Sequence, residues 1–189
     1  MGRNQRKIFE TSRKIKKDLI SKSKFLSLIL RHNPSAGNIT LDNEGWALVK
    51  DLIHNAGFAK EELKIIVETD SKQRYSFDKS GNKIRANQGH SLYSVKINYE
   101  KVVPPEFLYH GTVMKSIDNI FKEGLKKQKR NYLHLSDDIK TATSVGSRRG
   151  NPIILKIRAL DMYNDVYKFY ISENGIYLTD FVPPSYISI

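Results

Sequence analysis

Cysteine is missing from all 189 residues, which removes disulfides, thiolate nucleophiles and zinc-thiolate sites together. No apolar run approaches the length of a bilayer span, and the N-terminus is charged where a secretory signal needs a continuous apolar stretch. The opening Met1-Gly2-Arg3-Asn4-Gln5-Arg6 lacks the Ser or Thr of a myristoylation signal. There is no Walker loop and no Gly-x-Gly-x-x-Gly. The five histidines are scattered singly without a carboxylate cluster, so no metal-ligand spacing is visible. Internal repeats and low-complexity segments are absent as well. A soluble, cytoplasmic protein is expected, whose chemistry comes from Arg, Lys, His, Ser, Thr and carboxylates.

Acid is scarce too: 20 Asp and Glu face 32 Lys and Arg, a net charge of +12 that favours a polyanionic partner. With 39% hydrophobic residues the chain can bury one sizeable core or two small ones. Residues 1–20 form a basic arm or lead-in helix, as readily a solvated tail as a binding element. From Ser23, an expected N-cap, Lys24-Phe25-Leu26-Ser27-Leu28-Ile29-Leu30 reads as a buried helix that Pro34 must stop. An extended piece over 38–41, a turn at Asn43-Glu44-Gly45, and Trp46-Ala47-Leu48-Val49 with its aromatic in the core are expected next. Helices over 51–55 and 60–69 follow, then a hairpin pairing 74–78 with 83–86.

A charged strand-like stretch over 95–99 leads to Pro104-Pro105, which forbid helix and central strand alike. The expected division is therefore a lobe over 21–101 and a second over 102–189. In the second, strands are expected at 107–109, 132–135, 152–157, 166–171 and 176–178, with helices over 114–122 and 138–144. The pattern is α+β.

Taken singly, the candidate residues are ambiguous. His54 reads as structural. Arg31 and His32 end a helix, where cations simply favour the negative end of the dipole. Arg85-Ala86-Asn87-Gln88-Gly89-His90 is too polar for core and too rich in donors for a spacer. His110 opens Gly111-Thr112 before a helix, where a glycine lets a ligand approach the backbone and a helix N-terminus offers N–H groups to an anion. His134 lies two residues before Ser136, which is either a ligand contact or a helix N-cap. Gly146-Ser147-Arg148-Arg149-Gly150 is either a solvated turn or a phosphate clamp.

Together these segments are far more specific. Ser23-Lys24-Phe25-Leu26-Ser27-Leu28-Ile29-Leu30-Arg31-His32-Asn33-Pro34, Arg85-Ala86-Asn87-Gln88-Gly89-His90-Ser91, Tyr109-His110-Gly111-Thr112, His134-Leu135-Ser136, Gly146-Ser147-Arg148 and Asn174-Gly175-Ile176-Tyr177-Leu178-Thr179-Asp180 occur in this order. The sequence resembles the RNA 2′-phosphotransferase family of the KptA type over about residues 20 to 187. The resemblance implies a winged-helix-like N-terminal lobe, an ADP-ribosyltransferase-like C-terminal lobe that uses NAD, and an active site in the cleft between them. It assigns catalysis to Arg31, His32, Arg85 and Arg148. NAD binding falls to His110, Gly111, Thr112, His134, Leu135, Ser136 and Gly146, and substrate contacts to Gln88, His90 and Arg149.

The implied partners are NAD and a 2′-phosphorylated RNA, such as a transfer RNA during splicing, with no metal and no membrane, in a monomer. The implied reaction has two steps. The RNA 2′-phosphate attacks the anomeric carbon of the nicotinamide ribose, expelling nicotinamide and joining RNA to ADP-ribose. The ribose 2″-hydroxyl then attacks phosphorus, giving 2′-hydroxyl RNA and ADP-ribose 1″,2″-cyclic phosphate. Related protein-modifying transferases carry a catalytic glutamate where this chain has Ile153-Ile154-Leu155-Lys156. A phosphate monoester, with a second pKa of about 6, needs no general base to become a nucleophile. The competing readings are an enzyme that stops at ADP-ribosylating a terminal phosphate, and a non-enzymatic RNA-binding module.

Overall fold

From Arg3 to Asn33 the sequence has neither glycine nor proline and is rich in Lys, Arg and Leu, which all favour helix. The computed structural model accordingly holds one long helix, α1 (Arg3–Arg31). It describes the backbone of residues 3–189 and the side chains of residues 13, 14 and 16–189, so Arg3, Arg6 and Lys7 of the expected basic arm have side chains outside the described residues. Ser23 is inside the helix, not at its cap, and its carbonyl accepts from the Tyr75 hydroxyl at 3.0 Å. Leu26, Ile29 and Leu30 are fully buried on one face. Pro34 ends the helix as expected, in a 3-10 turn over Pro34–Gly37.

The chain divides into two compact units, Met1–Ile97 and Asn98–Ile189. In the first, no strand forms over 38–41, because Asn38 takes a left-handed φ of 48° that closes the 3-10 turn. Strand β1 (Trp46–Leu48), helices α2 (Val49–His54) and α3 (Lys60–Thr69), and the hairpin β2 (Tyr75–Phe77) and β3 (Lys83–Ala86) follow. The antiparallel sheet runs β1-β3-β2. Alternation along β1 buries Ala47, at 1% exposure, and so turns Trp46 to the other face, half-buried and not in the core as expected. Glu62 reaches back to the Ala59 N–H at 2.8 Å and meets Lys22 of α1 at 2.5 Å. The Lys22 hydrogen bond is the main reason its carboxyl titrates below the ordinary range.

The second unit runs β4 (Glu100–Lys101), β5 (Phe107–Val113), α4 (Ile117–Glu123), β6 (Leu125–Lys126), β7 (Leu133–Leu135) and α5 (Ile139–Gly146). It continues with β8 (Pro152–Arg158), α6 (Ala159–Asn164), β9 (Tyr170–Ile171), β10 (Tyr177–Thr179), β11 (Phe181–Val182) and β12 (Ile187–Ser188). Residues 95–99 make no strand; the short strand comes at Glu100–Lys101 and pairs with β9. Three small sheets result, ordered β4-β9-β10-β7, β11-β6 and β12-β8-β5. The architecture is mixed, α+β, with separate cores around Leu26, Leu52 and Leu63 in one unit and Leu108, Leu155 and Met162 in the other.

One contact fixes the second unit's geometry. β5 and β8 pair over seven positions, Phe107↔Arg158 to Val113↔Pro152, and α5 lies against β5 so closely that a Cβ on Gly111 would sit 1.9 Å from the Ala142 carbonyl oxygen and 2.9 Å from the Gly146 nitrogen. The bare Cα at Gly111 is thus consumed by a helix backbone, which cannot rotate aside as a side chain can. Gly111→Ala should lower stability by at least about 3 kcal/mol in urea denaturation; a loss under about 1 kcal/mol would mean that α5 yields easily.

Candidate functional site

In the first unit, positive charge is gathered by the end of α1 and by β3. Arg31 closes the helix with 8% exposure, donates to Ser27 Oγ at 3.4 Å, and places its guanidinium 5.8 Å from the Tyr75 ring centroid. Gly89, at φ +91°, lets the loop pass over it: a Cβ there would stand 3.5 Å from the Arg31 guanidinium carbon. The loop is held by the Ser91 N–H donating to the Arg31 carbonyl at 3.0 Å, and by Ser91 Oγ against His32 Nδ1 at 2.9 Å. His32 itself is exposed. Arg85, central in the sheet between Trp46 and Ser76, lies with its guanidinium 4.4 Å from the Trp46 ring centroid. Gln88 is half-buried in the same loop, which Asn87 anchors by donating from Nδ2 to the Gln73 carbonyl at 2.8 Å.

His90 differs from the exposed loop residue its polar surroundings suggest. It is 3% exposed, its Nε2 is buried without a hydrogen-bond partner, and a Cβ on Gly45 would stand 3.0 Å from that nitrogen. Burial first, then the charges of Arg31, His32 and Arg85, lower its pKa to about 4. A neutral imidazole therefore fills the space beneath the cations at ordinary pH.

The second cluster forms around His110. β5 carries His110 opposite Leu155 of β8, and mutual hydrogen bonds of 2.7 and 2.9 Å between Tyr109 and Ser136 draw the end of β7 alongside. His110 Nδ1 lies 3.2 Å from the His134 carbonyl, an obligate acceptor, so Nδ1 donates. Desolvation outweighs that bond, and with Arg149 and Arg130 it holds the His110 pKa below the ordinary value; neutral His110 thus keeps Nε2 as an acceptor. Arg130 Nη1 stands 3.2 Å from His134 Nδ1. A guanidinium only donates, so the His134 proton sits on Nε2. Arg130, exposed overall, has its own pKa lowered by desolvation and then by Arg149 and Arg148.

Several expected placements are revised by this arrangement. Gly111 and Thr112 lie inside β5, and α4 begins only at Ile117, after a 3-10 turn over Met114–Ser116, so these residues do not open a helix N-terminus. The ladder with β8 keeps them extended. The N-cap of α5 is Asp138, whose carboxylate accepts from the Thr141 N–H at 2.7 Å; Ser136 sits 3.5 Å behind it, 7% exposed. The Leu135 side chain is in the core. Gly146 packs against Gly111 and Pro152, where a Cβ would meet Pro152 at 3.0 Å. Arg148 and Arg149 are exposed on a 3-10 turn over Ser147–Arg149.

Sequence reasoning missed Arg130. It lies in an irregular stretch after β6, where no periodicity announces which basic side chain reaches the histidine four residues on.

Two measurements test this electrostatic picture. A histidine whose pKa is depressed by folding contributes stability above about pH 6.5 that is lost as pH falls toward about 4. Between pH 7.5 and 4.5 the protein should lose about 2–3 kcal/mol more in urea denaturation than its His90→Gln variant does; equal losses would show that His90 charges in the fold. For His134, nitrogen NMR should find the proton on Nε2, with the Nδ1–H form gaining population in Arg130→Met; an unchanged tautomer would remove Arg130 from this role.

Comparison with known proteins gives one answer. The sequence model of "RNA 2′-phosphotransferase, Tpt1 / KptA family" matches residues 17–181. A "Probable RNA 2′-phosphotransferase" of Flavobacterium johnsoniae is 50% identical over 170 residues, covering 87% of this chain and 93% of the relative. Proteins of the same name from Nostoc punctiforme and Rhodopirellula baltica are 47% and 46% identical, covering 89% and 93% of this chain and 96% and 98% of theirs. A match across both units at this identity makes the chain a member of the RNA 2′-phosphotransferase, Tpt1 / KptA, family of transferases.

Proposed function

We propose that the protein is an NAD-dependent RNA 2′-phosphotransferase that clears a 2′-phosphate from RNA, with transfer RNA as the natural class. The observation that carries this reading is the gathering of Arg31, His32 and Arg85 around the neutral His90, a pocket of charge suited to a phosphate dianion. We read the first unit as winged-helix-like and the second as ADP-ribosyltransferase-like. The Arg130, Arg148 and Arg149 group beside the uncharged His110 suits the pyrophosphate of a dinucleotide, and His110 Nε2 suits a ribose hydroxyl. NAD, when bound, supplies the ADP-ribosyl group that accepts the phosphate, with nicotinamide as the leaving group and ADP-ribose 1″,2″-cyclic phosphate as the end product.

The chain's own residues then have distinct tasks. Arg31 and Arg85 hold phosphate oxygens, and Arg148, catalytic by its family motif, contributes from the second unit's own arginine group. His32, its Nδ1 engaged with Ser91, donates toward the phosphate or protonates the departing ribose oxygen through Nε2. The Trp46 ring, its centroid 4.4 Å from the Arg85 guanidinium carbon, limits where that group can move, so geometry counts beside charge. Arg85→Lys should therefore fold normally yet lose at least tenfold in rate, roughly 1.4 kcal/mol of transition-state stabilisation; wild-type turnover would show that charge alone suffices at this position.

The activity itself is tested by incubating a short 2′-phosphorylated RNA with and without NAD and weighing both products. Release of the cyclic phosphate together with 2′-hydroxyl RNA, only when NAD is present, is the expected result. A persistent ADP-ribose adduct would mean a capping enzyme, and no NAD-dependent change would sink the proposal.

A further inference from the structure

The helix that ends at Arg31 also carries a row of cations the reaction does not use. At about 100° per residue, Arg13, Lys17 and Lys24 fall within about 40° of one another on α1, and all three are exposed. The core-facing residues Leu26, Ile29 and Leu30 occupy the opposite side. Lys22, also turned toward the body of the unit, is neutralised by Glu62, and Asp18 projects well off the row. The row shares its direction with Arg31 itself and ends next to His32.

We propose that this face of α1 is a track for the strand flanking the 2′-phosphate, with Arg13, Lys17 and Lys24 meeting successive backbone phosphates outside the reacting one. This rests on the RNA-directed reading above and extends it to substrate length. The rise of about 1.5 Å per residue puts Lys24, Lys17 and Arg13 roughly 10, 21 and 27 Å from Arg31. A stacked strand rising about 3.4 Å per nucleotide covers the whole row in roughly eight nucleotides. Nucleic acid fits better than a lipid surface because an aromatic platform stands at the reacting end. Tyr93, two residues past the Ser91 that binds His32, is 90% exposed, with Lys96 Nζ 5.8 Å from its ring centroid. A base can stack on such a ring, whereas among the described residues the row offers a bilayer only Ile20 and Leu28 as exposed apolar contacts.

The test compares a trinucleotide with a central 2′-phosphate and a twenty-nucleotide RNA carrying the same central group, using the full chain and the triple variant Arg13→Gln, Lys17→Gln, Lys24→Gln. Turnover and fluorescence-anisotropy affinity are both read. The triple variant should lose at least tenfold in kcat/KM and in affinity on the long RNA, with the slope of log affinity against log salt falling by about 2. On the trinucleotide it should match wild type, and the charge-preserving triple Arg13→Lys, Lys17→Arg, Lys24→Arg should behave as wild type on both. Tyr93→Ala should weaken both RNAs severalfold by a salt-independent factor; no change would remove the stacking assignment. Equal loss on both lengths, no loss on the long RNA, or stronger binding to phosphatidylserine vesicles than to RNA would overturn the track. If neither RNA is turned over with NAD, the activity reading fails, while the anisotropy series still decides the track.

Discussion

Positive charge held at close quarters is the constraint around which both units are arranged. Guanidinium groups cannot shed their protons near neutral pH, so where several converge, the groups that yield are histidines. His90 and His110 both do so, each chiefly through burial and then through neighbouring arginines. Arginines supply permanent charge, and neutral imidazoles between them supply polar volume that adds none. A lysine in place of either histidine would put a further cation in the same space.

The backbone serves this arrangement at two glycines. Gly89, in the left-handed region, lets the loop lie on the Arg31 guanidinium, and Ser91 then binds both the Arg31 carbonyl and the His32 ring. Gly111 lets α5 rest on β5, which brings the 3-10 turn bearing Arg148 and Arg149 to the strand bearing His110. In both places the side chains named by chemistry are positioned by a residue that has none.

This explains what was legible in the sequence. Residues 60–69, with Leu63 and Ile66 on one face, and the hairpin alternation around Ser80-Gly81 declare themselves through periodicity, and both elements form where expected. The lead-in helix alternative for residues 1–20 agrees with α1, but Ser23 looks like a cap only when local preference is weighed without the good helix formers before it. Short strands such as β6, β11 and β12, two residues each, carry no period and exist only through their partners. An aromatic beside an apolar run suggests the core, but strand alternation turns Trp46 to the face that Arg85 shares. The family motifs named Arg31, His32, Arg85 and Arg148 without their surroundings; Arg130, His90's burial and the use of Gly111 by α5 are properties of packing and have no sequence period.

Crowded cations also make the fold depend on what it binds. Each cluster carries repulsion that a bound anion would relieve, and binding to the folded state alone adds stability in proportion to the logarithm of ligand concentration over its dissociation constant. Burial of Arg31 beneath the 87–91 loop means its charge is already desolvated, so less reorganisation would accompany its pairing with an anion than for an arginine taken from bulk water. The long helix links the two scales of this electrostatics. Its last residue is a desolvated, positioned charge, while the exposed cations further up the same helix are hydrated and screened by salt. The first kind of charge suits chemistry at one phosphorus; the second suits weak, length-dependent contact with a polyanion.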